Sequence, residues 1–428
     1  MEEAHLSVQF NIPVDSEHPY FVDFSDVRGD FAEKRIYKAF NVKLPDFTYN
    51  NKMHSLNKTL LFLGGMRGSG KTSEIAKYVL KLDKPDCFFC VVCNIDKELD
   101  INNVEYMDIL ILQIEKLLEK AKDKGLKLKP NIIKDMQSWF GERIVEIDKR
   151  LTKEGGFEVG SGNLLSLIVG IRGGITGSKT TASQIRQVLQ NNFMDFASKF
   201  NEFIEITNDQ IRKLNLGREI LFVVDGIEKT MTAETRRKVI MKESHRISGI
   251  KANTIFTLPI ELMTEIQQLI MFAEVEIFPF VKIKHQDGKP VDEAINKFKE
   301  FIYKRIDTKL FDNAKTVEKA IEYSGGSPRE LLRILKTAYS YAEDIIRLDN
   351  INSAIKKLAA YYSNNISSED LKLLKRLKKN NRNNKHIPYE PRLNKLMENL
   401  IVMEYNDGTY KRVNPIVEAS EIYKEYVG

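Results

Sequence analysis

The feature that most constrains this chain is a glycine-rich loop between an apolar run and an amphipathic helix. Residues 60–80 read LLFLGGMRGSGKTSEIAKYVL, and apolar residues recur at helical spacing after Thr72. Positions 65–72 match the pattern G-x-x-x-x-G-K-[ST] in the strand–loop–helix setting that a phosphate-binding P-loop requires. A chance match in a glycine-rich turn would not bring both flanks with it. The sequence therefore predicts an α/β domain that binds a nucleotide.

Each residue type in this loop serves phosphate binding. The glycines let backbone amides turn inward around the phosphates, and the following helix presents its positive end to the anion. Lys71 is placed to bridge the β- and γ-phosphates, and the Thr72 hydroxyl is placed to ligate Mg²⁺. We therefore expect ATP and Mg²⁺ as cofactors. The predicted nucleotide contacts are Gly65, Met66, Arg67, Gly68, Ser69, Gly70, Lys71, Thr72 and Ser73.

A second buried strand ends in the acidic residue that such a site needs. Residues 218–225 read REILFVVD, and a continuous apolar run suits a strand that helices cover on both faces. At the carboxyl end of a parallel sheet, Asp225 would hold the metal together with Thr72. The alternative interpretation is that the strand ends in a turn-forming Asp-Gly pair with no role in metal binding. The presence of the P-loop makes this interpretation less favourable. The next carboxylate, Glu228, is the candidate for polarising the attacking water.

These motifs resemble those of AAA+ ATPases, and the residues DGIE at 225–228 resemble the STAND branch, especially its NACHT-like group. Many AAA+ ATPases carry Glu directly after the Asp, where this chain has Gly226. The departure leaves two alternatives: Glu228 reaches back to the water, or hydrolysis is slow and the site works as a switch. The resemblance also implies that Thr257, at the end of a short apolar strand, is sensor 1. A strand-ending Thr before Pro is also common for structural reasons alone.

The residues GGSPRELL at 325–332 resemble the sensor 2 motif of origin-recognition and STAND ATPases, whose arginine contacts the γ-phosphate from a helical lid. Ser327 and Glu330 predict a capping box, and Pro328 suits the first helical position. Arg329 then lies in the first turn, where the helix dipole disfavours a cation by roughly 0.3–1 kcal/mol. A nearby phosphate would offset that cost, whereas a solvated arginine on a well-capped helix is the alternative.

The chain has 428 residues, enough for two or three domains. The resemblance implies a P-loop parallel sheet flanked by helices in an ATPase domain over 1–289, a helical lid over 290–362 and a winged-helix domain over 363–428. Upstream of the P-loop, residues 24–31 resemble the box that closes over the base in these families, which makes Arg28 a candidate nucleotide contact.

The P-loop and the strand that ends in Asp225 are far apart in sequence, which predicts an insertion of the type helix–hairpin–helix at about 105–213. Within it, residues 165–171 alternate between two sets of side chains, a pattern typical of a hairpin. A long helix with an apolar seam is expected to follow, over about 185–204. Several cations lie between the strand that ends in Asp225 and the strand that contains Thr257. They are candidates for an arginine finger acting on a neighbouring subunit, although a solvated helix face explains them equally well. They are Arg236, Arg237, Lys242, His245 and Arg246.

The last domain is locally basic and has the order of a winged helix: helix, helix and two-stranded hairpin. Between 371 and 396, nine basic residues stand against one acidic residue, Glu390, which suits a phosphate backbone. Solvated helix faces explain the same residues, and winged helices in STAND proteins often pack on their own ATPase domain or bind protein. Duplex DNA as a partner is therefore one of two open alternatives. The basic residues are Lys372, Lys375, Arg376, Lys378, Lys379, Arg382, Lys385, Arg392 and Lys395.

Composition argues against several other classes. Hydrophobic residues make up 42% and charged residues 29%, an ordinary globular balance, and the formal net charge of +6 would not by itself argue for nucleic acid. No apolar run is long enough to span a bilayer, and the first residues lack the pattern of a signal peptide. Three cysteines cannot form a secreted disulfide framework, so we expect a cytoplasmic protein. Cys87, Cys90 and Cys93 would alternate across one strand without a fourth cysteine, which favours buried side chains over a metal site.

The resemblance implies a bacterial regulatory ATPase in which ATP and ADP reposition the lid and the winged helix. Such a switch would control homo-oligomer assembly or the recruitment of a protein effector, for example in defence. The alternative is an origin-recognition-like ATPase that uses its basic winged helix on duplex DNA. A third hypothesis is a scaffold that binds ATP without useful turnover, which the residue Gly226 would allow.

Overall fold

The structure is a computed structural model. It describes residues 7–9, 13–29, 31, 33–50, 58–151, 164–230, 232–382, 385, 387–406 and 410–428, without the side chains of 145–151, 244–245 and 382. Residues 152–163 of the predicted insertion and 407–409 of the predicted C-terminal hairpin therefore lie outside the described residues. Within the described chain, no helix combines the length and the apolar character needed to cross a bilayer.

A five-stranded parallel sheet forms the centre of the molecule, flanked by helices, which confirms the predicted α/β fold class. The strands are β1 (Leu60–Gly64), β2 (Phe88–Asn94), β3 (Glu219–Asp225), β4 (Asn253–Leu258) and β5 (Glu274–Ile277). Their order in the sheet is β2-β3-β4-β1-β5. Every residue of β3 is buried, as expected for a strand covered on both faces.

The strand order decides where the site forms. Strand β4 lies between β1 and β3, and Thr257 of β4 is opposite Leu63 of β1. At the end of β3, Asp225 is opposite Asn94 of β2. Because all of these strands run in the same direction, the P-loop, Thr257 and Asp225 meet at one edge of the sheet.

Most of the other elements described before residue 290 are helices. The longer ones are α1 (Glu33–Ala39), α2 (Lys71–Leu82), α3 (Tyr106–Asp123), α4 (Pro130–Leu151), α5 (Leu164–Gly177), α6 (Lys179–Asn191) and α7 (Phe193–Lys213). The shorter helical segments are Ser25–Val27, Ile95–Glu98, Ile227–Lys229, Ala233–Arg237, Lys238–Lys242, Ser244–Ile247, Ile260–Glu265 and Ile266–Leu269. A two-residue antiparallel pair joins Val42–Lys43 to Thr48–Tyr49.

The hairpin predicted at 165–171 is wrong, because this segment is helix α5. Its buried residues Leu164, Leu167, Ile168 and Ile171 recur every three or four positions, whereas Val169 is 40% exposed. The alternation seen in the sequence counts the exposed Val169 among its apolar positions and leaves out the buried Ile168, so it does not follow the buried face of the helix. The described residues of the predicted insertion at 105–213 therefore form helices joined by short loops, with no strand among them.

The single long helix expected over 185–204 is also divided. Helix α6 ends at Asn191 and α7 begins at Phe193. The side-chain amide of Asn192 donates to the carbonyl of Val188 at 2.8 Å, so it competes with the backbone at the junction.

The remaining elements are mostly helical. The helices after the sheet are α8 (Asp292–Tyr303), a short turn at Thr308–Leu310, α9 (Ala314–Ser324), α10 (Pro328–Tyr339) and α11 (Leu348–Ser363). The C-terminal unit, defined here as residues 368–428, contains α12 (Ser368–Arg382), α13 (Pro391–Glu398), β6 (Val402–Tyr405), β7 (Tyr410–Val413) and the helices Pro415–Glu418 and Glu421–Tyr426. Strands β6 and β7 pair in antiparallel fashion, so the predicted helix, helix and hairpin are present in that order. The domain boundaries and the winged-helix assignment stay predictions.

Candidate nucleotide site

The P-loop joins β1 to α2 and folds around the side chain of Lys71. The Lys71 ammonium donates to the carbonyls of Gly65 at 2.7 Å and Met66 at 2.9 Å, which keeps it inside the loop. Burial lowers the pKa of Lys71, while the carboxylates of Glu228 and Asp225 oppose that shift. Since α2 begins at Lys71, its first backbone N–H groups have no partner within the helix and are available to an anion.

Asp225 lies next to Thr72, in the first turn of α2. Burial and the negative charge of Glu228 raise the pKa of Asp225 to about 6, although a hydrogen bond with the Thr72 hydroxyl opposes the rise. The structure thus brings together the two predicted metal ligands. One oxygen of Asp225, one of Glu228 and the hydroxyl of Ser69 are buried, and none of the three has a hydrogen-bond partner among the described residues. Buried oxygens without partners are costly, and a bound cation with phosphate would satisfy them.

Glu228 lies in the short helix that follows β3, and Thr257 bonds to both ends of that connection. The Thr257 hydroxyl accepts from the backbone N–H of Gly226 at 3.1 Å and makes a side-chain hydrogen bond with Glu228. Burial alone would raise the pKa of Glu228, but the Lys71 cation, a backbone N–H and the Thr257 hydroxyl hold it below its ordinary value. Glu228 therefore stays ionised at the edge of the site, where a base would have to be.

The conformation of Gly226 explains why this chain has no glutamate directly after Asp225. Gly226 has a φ of +100°, in the left-handed region, and a Cβ added there would lie 2.6 Å from Oδ1 of Asp96. Asp96 is itself held by an ion pair with Lys229 at 2.9 Å. A side chain at position 226 would thus be strained and would collide with a fixed carboxylate.

We predict that Gly226→Ala lowers the free energy of unfolding by more than Gly288→Ala does. Each substitution puts a Cβ at positive φ, which costs about 1–3 kcal/mol, but Gly288 has no atom within 4 Å of the added Cβ. The difference, measured by chemical denaturation, isolates the collision with Asp96. In the same series Gly226→Glu is expected to show no gain in ATP turnover. Equal losses for the two alanine variants, or a gain in turnover, would contradict this account of the loop.

Arg329 reaches the P-loop from the N-terminus of α10. A Cβ added to Gly68 would lie 3.0 Å from Cβ of Arg329 and 3.3 Å from Oγ of Ser327, so only glycine allows the helix to approach this closely. The Ser327 hydroxyl also donates to the carbonyl of Gly68 at 3.2 Å. Burial lowers the pKa of Arg329, with Glu330 and Glu228 opposing that shift. No hydrogen bond or ion pair of the described residues involves its guanidinium, which leaves its donors available to a phosphate.

The capping box predicted at the start of α10 forms only in part. Ser327 accepts from the backbone N–H of Glu330 at 3.2 Å, as predicted. The reciprocal bond is missing, because the N–H of Ser327 donates to the carbonyl of Ser324. The Glu330 carboxylate is fully buried and instead accepts from the Tyr362 hydroxyl at 2.8 Å and from Arg333 at 2.9 Å.

The P-loop, Glu228 and Arg329 line one cleft of about 360 Å³, and Asp225 and Thr257 are not among its wall residues. Its wall carries five cations and two carboxylates, an excess of positive charge that suits a polyphosphate. The predicted residues in the wall are Arg67, Gly68, Gly70, Lys71, Thr72, Ser73, Glu228 and Arg329. Sequence reasoning missed Pro13, Val14, Asp96, Lys229, Phe301, Arg305, Pro328 and Leu332 as wall residues. Their only common property is tertiary proximity, for which the sequence carries no signal.

Other predicted residues support the cleft from behind. Met66 and Ser69 are buried in the loop, and Arg28 holds the loop from its far side. The guanidinium of Arg28 donates to the carbonyls of Ser69 at 2.9 Å and Pro279 at 2.6 Å, and it lies 3.9 Å from the ring centroid of Phe278. Burial lowers the pKa of Arg28 to about 10. Arg28 braces the P-loop backbone, and its predicted contact with a base stays a prediction.

The arginine-finger candidates are largely engaged within this chain. Arg236 is 2% exposed and forms ion pairs with Glu261 and Glu398. Arg237 pairs with Glu265 at 2.8 Å, and Arg246 pairs with Glu243. Lys242 is exposed, and the side chain of His245 lies outside the described residues. Arg236 in particular is too deeply buried to reach a neighbouring subunit in this conformation.

Comparison with known proteins finds solved structures of low similarity. No family model matches the chain, and the search of curated proteins gives no match. Among solved structures the chain is similar to the Walker-type ATPase PABY2304 of Pyrococcus abyssi, with 13% identity, a TM-score of 0.45, and coverage of 96% of this chain and 98% of that one. It is also similar to Cdc6p from Pyrobaculum aerophilum, with 11% identity, a TM-score of 0.35, and coverage of 97% and 98%. Both TM-scores are low, so the function proposed below depends on the site itself.

Proposed function

We propose that this chain is a Mg²⁺-dependent ATPase that works as a regulatory switch of the STAND/AAA+ type. The observation that carries the proposal is the convergence of the P-loop, Glu228 and Arg329 on one cleft, with Asp225 buried beside Glu228 and Thr72. Lys71 would neutralise the β- and γ-phosphates, and Thr72 with Asp225 would hold Mg²⁺, which supplies charge stabilisation to the transferring phosphoryl group. The unpartnered oxygens of Asp225 and Glu228 fit this assignment.

Glu228 is the proposed general base. Its pKa is held below the ordinary value, so it is ionised and able to accept a proton from the attacking water. Thr257 bonds both the Glu228 side chain and the Gly226 backbone, which orients the carboxylate toward the cleft. Gly226, in the left-handed conformation, stands where many AAA+ ATPases carry a glutamate, and Glu228 would take over the role of that glutamate.

The proposed switch runs from Arg329 to the C-terminal unit. The residues just before Arg329 contact this unit directly: the Tyr405 hydroxyl donates to the carbonyl of Gly325 at 2.6 Å. Nearby, the backbone N–H of Phe280 donates to the carbonyl of Glu404 at 3.1 Å. A γ-phosphate that draws in Arg329 would therefore shift a segment to which the C-terminal unit is bonded. Nucleotide identity can bias the position of that unit only through such differential contacts.

A second contact holds the C-terminal unit against the sheet. Helix α13 packs on residues 260–265, where the side-chain amide of Asn394 donates to the carbonyl of Glu261 at 3.0 Å. Arg236 pairs with Glu398 of α13 at 2.5 Å and donates to the carbonyl of Thr230 at 2.6 Å, two residues after Glu228. The loop that carries the proposed base is thus linked to α13. We propose that this docked arrangement is the resting state and that ATP releases α13 for homo-oligomer assembly or effector recruitment.

Glu398→Gln is expected to loosen the docking of α13. The buried Arg236 loses one of its two carboxylates, which should weaken the contact by about 1–3 kcal/mol. Amide hydrogen exchange over 391–398 measures the effect, and Glu421→Gln, an exposed carboxylate in the same unit, is the control. Exchange in Glu398→Gln that is as slow as in wild type would remove Arg236 as a docking contact.

Light scattering with ATP or ADP tests the switch as a whole. We expect wild type to assemble with ATP and Mg²⁺ but not with ADP, and Lys71→Ala to assemble with neither. Assembly that is the same with both nucleotides would contradict a nucleotide-gated switch. Failure of wild type to bind ATP would contradict the proposed ATPase itself.

Duplex DNA is the second candidate partner. Lys375 and Lys379 on α12 are exposed, and neither forms an ion pair with another described residue. Three other predicted cations are already paired within the unit: Lys372 with Glu369, Arg376 with Glu390, and Arg392 with Asp370. Together with the docking of α13, this favours the switch. DNA affinity with a steep salt dependence, lost in Lys375→Ala/Lys379→Ala, would select the DNA-binding function instead.

A further inference from the structure

One buried cation of the cleft lacks the carboxylate partner that a buried charge ordinarily has. Arg305 follows α8 and lines the cleft together with Lys71 and Arg329. It is only 8% exposed, and none of the described Asp or Glu side chains forms an ion pair with it. Burial lowers its pKa to about 10, and no described carboxylate opposes that shift. A buried arginine without an anion is unfavourable for folding.

The groups that do surround Arg305 hold it without neutralising it. Its Nη1 donates to the carbonyl of Phe301 at 2.9 Å, and its guanidinium carbon lies 3.8 Å from the ring centroid of Phe301 and 5.1 Å from that of Tyr20. Aromatic faces attract a cation and fix its orientation, but they leave its net charge in place. The backbone is fixed as well, because the carbonyl of Arg305 accepts from the Ser7 hydroxyl at 2.6 Å.

Other buried arginines of the chain are satisfied differently. Arg236 has two carboxylate partners, and Arg186 pairs with Asp108 at 2.6 Å. Arg28 has no carboxylate ion pair among the described residues, but two of its nitrogens donate to backbone carbonyls and it does not line the cleft. Arg305 therefore combines deep burial, no described anion and a position on the wall of a nucleotide-sized cleft.

We propose that Arg305 is a nucleotide ligand whose guanidinium binds the phosphate chain of both ADP and ATP. The inference rests on the proposed nucleotide-binding function and adds to it a second cation from the helices after the sheet. Arg329 approaches the P-loop at Gly68, whereas Arg305 lies beside Phe301 in another part of the wall, with Tyr20 also in contact with its guanidinium. Arg329 would thus report the γ-phosphate, while Arg305 would contribute to affinity whether or not that phosphate is present.

Thermal melting of Arg305→Met, with and without Mg²⁺ and ADP or ATP, distinguishes a ligand from a structural residue. Without nucleotide we expect a Tm equal to or above that of wild type, because the uncompensated charge is gone and methionine fills the space between the rings. With nucleotide we expect most of the wild-type rise in Tm to be lost. Calorimetry should show binding of ADP and ATP weakened by similar factors of about 10–100. Arg305→Lys, which keeps the charge, should recover part of this affinity.

The controls separate the possible failures. Lys304→Met changes the adjacent cation, which donates to the carbonyl of Phe21 at 2.8 Å and does not line the cleft, and it should leave the nucleotide-induced rise in Tm unchanged. If wild type binds ADP and ATP and Arg305→Met binds them equally well, the inference is overturned while the ATPase proposal stands. A lowered ligand-free Tm with no recovery of affinity in Arg305→Lys would assign Arg305 a structural role and also overturn it. If wild type binds neither nucleotide, the proposed function fails first.

Discussion

Lys71→Ala is expected to reduce ATP turnover by about 10²–10³-fold or more, because it removes a preorganised cation from the point where phosphate charge develops. The Lys71 ammonium is buried and bonded to two carbonyls of its own loop, and none of the described carboxylates forms an ion pair with it, so it can transfer to phosphate oxygens without breaking one. Turnover is measured as phosphate release, and binding is measured by calorimetry with ADP and ATP.

Lys81→Ala is the matched control for Lys71→Ala. Lys81 lies in the same helix and pairs with Glu33 at 3.1 Å, away from the cleft. It should retain turnover close to that of wild type, since a partly exposed ion pair contributes only about 0–1 kcal/mol to stability. Turnover that survives in Lys71→Ala would mean that the loop does not hold the reacting phosphates.

Glu228→Gln is expected to lower turnover by about 10²–10⁴-fold while ATP and ADP still bind. Glutamine keeps the size of the side chain but is not a base, so the water loses its proton acceptor. The Lys71–phosphate contact does not depend on that proton. Phosphate release and nucleotide affinity, measured on the same preparation, separate catalysis from binding.

Asp96→Asn is the control for the assignment of the base. Asp96 is the other carboxylate in the wall of the cleft, but it pairs with Lys229 and sits against Gly226. Its replacement should change turnover much less than that of Glu228. If Asp96→Asn removes turnover and Glu228→Gln does not, Asp96 is the base; turnover retained in both variants excludes a general base from this wall.

The P-loop was predictable because its information is local. Its glycines, its lysine and its two flanks are all contained in about twenty residues, and the apolar run of β3 identified Asp225 in the same way. Their meeting at one edge followed from parallel strands, a general property of such sheets. Roles that depend on a bound nucleotide, such as those of Thr257 and Arg329, stay predictions.

The predictions from sequence that failed did so because of contacts between residues that are distant in the chain. Helix α5 looked like a hairpin because the exposed Val169 is as apolar as the buried Ile168 beside it, so its buried face is identified only by the helices that cover it. The capping box at α10 formed in part because Tyr362, distant in sequence, takes the Glu330 carboxylate. Arg305 gave no sequence signal at all, since what distinguishes it is burial without a described carboxylate partner.

The three native cysteines leave the chain suited to site-directed labelling. Cys87, Cys90 and Cys93 are buried, as predicted, and burial raises the pKa of the Cys87 thiol to about 12 and those of the other two well above the ordinary range. A buried neutral thiol reacts slowly, so engineered surface cysteines should be modified first.

The central claim is that nucleotide identity moves the C-terminal unit relative to the sheet. Two spin labels measure this movement as a distance between them. One is attached at Lys213→Cys, at the exposed end of α7, and the other at Asn399→Cys, just after α13. In a Glu228→Gln background, which should hold ATP uncleaved, we expect the distance distribution with ATP to differ from that with ADP, and the difference to vanish in Arg329→Ala. Identical distributions with ATP and ADP, in protein shown by calorimetry to be saturated, would contradict the switch.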